Sequence, residues 1–176
     1  MRDHTLRELV GRLYHPDQIV LSKYGRPSLP EEPDLNWSSS SCIGGAAISW
    51  CRGVKVGLDI ERLEPELVSE ELRRSTLTAE ELKEIDAMIG KDPDLYFDLW
   101  TRKEAVLKAL GTGLHLRPDR AQVGLADTEW KRAIVGSSDR CWVRSLKVRA
   151  GMRGAIACVE QLEVVVEELE SAEWAA

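Results

Sequence analysis

The sequence is sparing in the residues that mark specialised protein classes. Its four cysteines, Cys42, Cys51, Cys141 and Cys158, form no C-x-x-C pair, and its three histidines, His4, His15 and His115, are scattered. That spacing excludes the common zinc patterns. No apolar run approaches the roughly 20 residues that span a bilayer, and the polar start Met1–Glu8 lacks the apolar stretch of a signal peptide. A soluble, cytoplasmic protein is the expectation, with no membrane partner and no disulfides. Aromatic residues make up only 6% of the chain, yet 43% is hydrophobic and 31% charged, enough for a real core in 176 residues. There is no exact internal repeat.

Basic residues are also outnumbered, 24 against 30 acidic, for a net charge of −6. That balance argues against general nucleic-acid binding. The distribution is uneven: Lys91–Arg153 holds 13 basic and 8 acidic residues, whereas 154–176 holds 6 acidic and no basic ones. A positive middle segment suits an anionic ligand or an acidic partner; ordinary surface variation explains it equally well.

Periodicity predicts a short helix over Thr5–Tyr14, a strand at Ile19–Leu21 and a loop over Tyr24–Pro33. The serine-dense stretch Asn36–Ser41 reads as a loop. Ala46–Trp50 and Val54–Ile60 read as two strands joined at Cys51-Arg52-Gly53. Helices are expected over Glu66–Arg74, from the capping box Thr78-Ala79-Glu80-Glu81 to Gly90, and from Asp94 to Leu110, with Leu95, Leu99, Val106 and Leu110 as the last one's buried stripe. Strand candidates follow at Ala121–Leu125, Cys141–Val148, Ala155–Glu160 and Leu162–Glu168. Trp37, Trp50, Trp130 and Trp142 read as packing residues, and His115 as a loop residue.

Two segments point to chemistry. In Val56-Gly57-Leu58-Asp59-Ile60-Glu61, residues two apart on a strand share a face, so Asp59 and Glu61 lie side by side. Like charges that close repel unless a proton or cation intervenes. A strand end running out into water is the plainer reading, and a divalent ion the sharper one. In Trp100-Thr101-Arg102-Lys103-Glu104-Ala105-Val106-Leu107-Lys108, Trp100, Glu104 and Lys108 line one helix face. Glu104 and Lys108 also make a favourable surface pair worth about 0.3–0.5 kcal/mol. Alternatively, Glu104 adds a third carboxylate to a hard oxygen shell suited to magnesium, and Lys108 a contact to phosphate.

Gly-Leu-Asp-Ile-Glu followed some forty residues later by Trp-Thr-Arg-Lys-Glu-Ala-Val-Leu-Lys resembles the paired signature of the 4′-phosphopantetheinyl transferases, most nearly the larger type that activates peptide and polyketide synthetases. Tyr24-Gly25-Arg26-Pro27 and Asn36-Trp37-Ser38 resemble two further family motifs, and the likeness runs from about Arg7 to Glu160. It implies an α+β fold of two pseudo-related halves acting as one unit, residues 1–61 and 62–176, with the site between them. It also implies Mg²⁺-dependent transfer of 4′-phosphopantetheine from coenzyme A (CoA) to a serine of an acyl or peptidyl carrier protein. Asp59, Glu61 and Glu104 would hold the metal, with Glu104 as base and Lys108 on the pyrophosphate. Arg26, Ser38, Ser39 and Lys103 would help bind CoA, joined by Ser40 in a hydroxyl-lined phosphate cradle.

Two departures stand out. Ser39 replaces the histidine of the family's Asn-x-Ser-His-Ser motif, so weakened CoA binding is expected. Several dozen residues that precede the first helix in larger members are missing, so an incomplete first half is expected, with an exposed edge that a homodimer would cover. A relative that binds CoA or carrier protein without transfer is the second reading. A structural subunit with mere surface ion pairs is a third.

Overall fold

The computed structural model describes residues 16–88, 92, 94–125, 128–136 and 139–167. In chain order these form β1 (Val20–Leu21), β2 (Pro27–Ser28), β3 (Leu35–Cys42), β4 (Gly45–Arg52), β5 (Val56–Arg62), α1 (Glu70–Thr76), α2 (Ala79–Met88), α3 (Leu95–Leu110), β6 (Ala121–Gln122), β7 (Lys131–Val135), β8 (Asp139–Leu146) and β9 (Met152–Cys158), with short 3-10 turns between. The mixed α+β content agrees with the expected class. The helix expected over Thr5–Tyr14 lies outside the described residues. Among those described, no helix is long and apolar enough to cross a membrane.

Five strands form one antiparallel sheet in the order β5-β9-β8-β7-β6, while β1 pairs with β2 and β3 with β4. Helix α3 packs on one face of the large sheet. Small residues permit the close fit: Ala155 and Ala157 of β9, Ala133 of β7 and Cys141 of β8 are buried in one cluster with Leu99, Ala105, Val106 and Ala109. The alternation of the pleat sends Ile156 to the opposite face, where it joins Val56 and Leu58 against Ala47 and Cys51 of β4. A third cluster places Leu29, Leu35 and Trp37 beside Ile19 and Ile48.

The α3 boundaries follow the chain's own signals. Gly111 adopts φ +73°, where a side chain would be strained, and Gly111 N–H and Thr112 N–H bond to the carbonyls of Lys108 and Leu107 at 3.1 and 3.2 Å. The capping box at Thr78 forms in both directions: Thr78 N–H donates to Glu81 Oε2 at 2.9 Å and Glu81 N–H to Thr78 Oγ1 at 3.2 Å.

Several strand assignments need correction. Asn36–Ser41 belongs to β3, paired residue for residue with β4 from Leu35↔Arg52 to Cys42↔Gly45. Serine-rich composition suggested a loop, but Ser38 and Ser40 turn their hydroxyls to β5, while Ser39 and Ser41 are exposed. Accordingly β4 turns back on β3, while β5 pairs with β9 far along the chain. Finally, Lys131–Val135 is a strand, and 161–167 has no regular structure despite its β-branched residues.

Candidate functional site

The site rests on how closely α3 approaches β5. A Cβ added at Gly57 would lie 2.1 Å from the Ala105 carbonyl oxygen and 2.4 Å from the Ala109 nitrogen, so only glycine allows this contact. The next residues on the same strand face are Asp59 and Glu61. The face of α3 they meet carries Lys108, Glu104 and Trp100.

Lys108 Nζ donates to Asp59 Oδ1 at 2.8 Å and to the Leu58 carbonyl at 3.1 Å. Ser40, on β3, donates its hydroxyl to the same Oδ1 at 2.8 Å. Glu61 Oε1 accepts the Trp100 indole N–H at 3.0 Å. Three elements, β3, β5 and α3, thus converge on one acidic cluster with a single lysine at its edge.

Burial and mutual repulsion set the electrostatics. Burial raises the Asp59 carboxyl above its ordinary range, opposed by the Lys108 charge and by bonds from Lys108 and Ser40. Burial likewise raises Glu61, partly offset by the Trp100 bond. Glu104 moves furthest, to about 7, through burial first and then the charge of Asp59, with Lys108 opposing and Glu61 adding to the rise.

Asp59 Oδ2 and Glu104 Oε1 are buried without a hydrogen-bond partner. Buried polar atoms are ordinarily satisfied. Among the described residues, no three His, Cys, Asp or Glu side chains form a ready-made metal cage. The donor set nevertheless fits a hard divalent cation: all the acids offer oxygen, two oxygens lack a partner, and the acids repel one another.

Of the residues expected at this site, Asp59, Glu61, Glu104 and Lys108 come together, and three others are engaged elsewhere. The Arg26 guanidinium caps the end of α3, donating to the carbonyls of Lys108 at 2.6 Å and Ala109 at 3.1 Å, with longer bonds to Asn36 Oδ1 and the Val56 carbonyl. Partial burial lowers its pKa. It clamps α3 to the strands. Lys103 is wholly buried on another side of α3, where Nζ meets Glu81 Oε2 at 2.6 Å and donates to the carbonyls of Pro118 and Ala121. Its position one residue before Glu104 turns it away from the acidic cluster, which corrects the expectation that it binds CoA. Buried Ser38 accepts the Leu58 N–H at 3.0 Å, fastening β3 to β5, while Ser39 is exposed.

The sequence reading left two partners unassigned. One is Ser40 as the donor to Asp59, hidden by the loop reading of β3. The other is Trp100 as the donor to Glu61, for which the spacing Trp100–Glu104–Lys108 was the available signal.

With this geometry in view, comparison with known proteins gives the family. Residues 55–159 match the 4′-phosphopantetheinyl transferase superfamily, and the chain belongs to it. It is similar to the 4′-phosphopantetheinyl transferase Sfp of Bacillus subtilis strain 168, 26% identical over 163 residues that cover 88% of this chain and 70% of Sfp. A second Bacillus subtilis 4′-phosphopantetheinyl transferase is 26% identical over 130 residues, 71% of this chain and 57% of that protein. The 4′-phosphopantetheinyl transferase ffp of the same species is 24% identical over 160 residues, 88% of this chain and 70% of ffp.

Proposed function

We propose that the protein transfers the 4′-phosphopantetheine group of CoA to a serine of an acyl or peptidyl carrier protein, with Mg²⁺ as cofactor. The observation that carries this reading is the acidic cluster: Asp59 and Glu104 each bury an unpartnered oxygen beside Glu61 and the Lys108 ammonium. Asp59, Glu61 and Glu104 would hold the cation, which when bound neutralises charge on the CoA diphosphate.

The carrier serine oxygen attacks the phosphorus that bears the pantetheine arm. The bond from that phosphorus to the bridging oxygen breaks, and adenosine 3′,5′-bisphosphate leaves with the electron pair. Glu104 takes the serine proton. Lys108 offsets charge on the departing bisphosphate. Ser39, exposed on β3, offers a hydroxyl but no positive charge to the CoA phosphates. Because Arg26, Ser38 and Lys103 are committed inward, few of the expected contacts remain for CoA, and weak CoA affinity follows.

Intact-mass spectrometry of an apo-carrier protein with CoA and Mg²⁺ tests the reading. The carrier should gain one phosphopantetheine group, and Glu104→Ala should abolish the gain. Failure of the wild type with every carrier tried contradicts it. The same inward commitment favours a second reading, a relative that binds CoA or carrier without transfer. Calorimetric binding of either molecule without product would select it.

A further inference from the structure

The Trp100 indole is placed in a way that burial alone does not require. A half-buried indole N–H can take water or any carbonyl as its acceptor. Here the acceptor is Glu61 Oε1 at 3.0 Å, on a different element. Trp100 is one turn before Glu104 on α3, so the residue that holds the second acid shares a helix face with the third. Its ring lies nearly parallel to that of Tyr96, with centroids 6.4 Å apart and 8° between planes. Tyr96 is itself buried, sits edge-on to Phe97 at 5.6 Å, and its hydroxyl lies 3.4 Å from Thr76 Oγ1, whose own proton goes to the Leu72 carbonyl at 2.7 Å. The indole is therefore braced from α1 through Tyr96 while its donor reaches across to β5. Glu61 Oε1 is fixed by that bond, and Oε2 makes no hydrogen bond among the described residues.

We infer that Trp100 is a positioning residue: it orients the Glu61 carboxylate for a divalent cation and couples the spacing of β5 and α3 to cation affinity. The inference rests on the proposed metal site. Outer partners of metal ligands typically change metal affinity by about 10–100-fold when removed. The effect here should lie at the low end, because Trp100→Phe retains the ring.

Mn²⁺ serves as the probe, its free concentration read by electron paramagnetic resonance, in a cycle of wild type, Trp100→Phe, Glu61→Ala and the double variant. Trp100→Phe should weaken Mn²⁺ binding about 10-fold in the wild-type background and leave it unchanged in the Glu61→Ala background. Equal loss in both backgrounds, or no loss in either, overturns the inference while leaving the metal site standing. Absence of Mn²⁺ binding by the wild type overturns both. A measurement that needs no Trp100 variant guards against misfolding. Of the indole N–H resonances of ¹⁵N-tryptophan-labelled protein, one should shift on adding Mg²⁺ and lose that shift in Glu61→Ala. Unchanged indole resonances on Mg²⁺ binding contradict the inference.

Discussion

Two ionisable groups adjacent in sequence have opposite fates. Glu104 is a carboxyl whose folded pKa, about 7, lies above its ordinary value of 4.5. The native state therefore binds more protons than the unfolded chain between those values, so this group costs stability as pH rises through the interval. Without divalent ions, Glu104→Gln should match the wild type near pH 4.5 and exceed it by about 2 kcal/mol above pH 7, as urea melts at the two pH values will read. Equal stabilities at high pH would contradict the assigned environment. Lys103, by contrast, is matched to Glu81, both wholly buried. Lys103→Met strands that carboxylate and should cost about 3–5 kcal/mol, with Glu81→Gln in the same chain recovering part. CoA affinity of the folded Lys103→Met protein should not change, which a direct CoA ligand role would not allow.

At the scale of elements, the site depends on the seating of α3 on β5. Gly57→Ala places a methyl against backbone atoms of Ala105 and Ala109 that cannot yield, so the two elements must part. A loss of about 3 kcal/mol is expected in denaturant unfolding, together with weaker Mg²⁺ binding. An unperturbed variant would show that the contact is not required. The same elements show what the sequence could and could not disclose. α3 was legible almost to the residue, because a run of local signals, its apolar stripe and Gly111, determines it. Asp59 and Glu61 were legible as a pair because a strand alternates at a fixed period. The pairing of β5 with β9 joins Val56 to Cys158 across most of the chain, and nothing local encodes it. β3 was illegible for another reason: the partners of Ser38 and Ser40 lie on β5, absent from any local window, and Ser39 and Ser41 face solvent. The inward direction of Lys103 was not legible because a motif gives spacing along the chain, while direction depends on how the helix is buried.

Across the whole molecule, an acidic chain with net charge −6 brings three of its acids, buried or half-buried, near one another and sets Lys108 against them. Such an arrangement is unfavourable in isolation, and on the proposed reading a cation and a diphosphate would complete it. The chain belongs to the 4′-phosphopantetheinyl transferase superfamily, which supports that reading. The most direct test is a calorimetric titration of CoA with and without Mg²⁺, on the wild type and on Asp59→Asn. CoA should bind at least about 10-fold more tightly with Mg²⁺, and Asp59→Asn should lose the difference. Equal CoA affinity with and without the metal, or an undiminished metal effect in Asp59→Asn, would contradict the account.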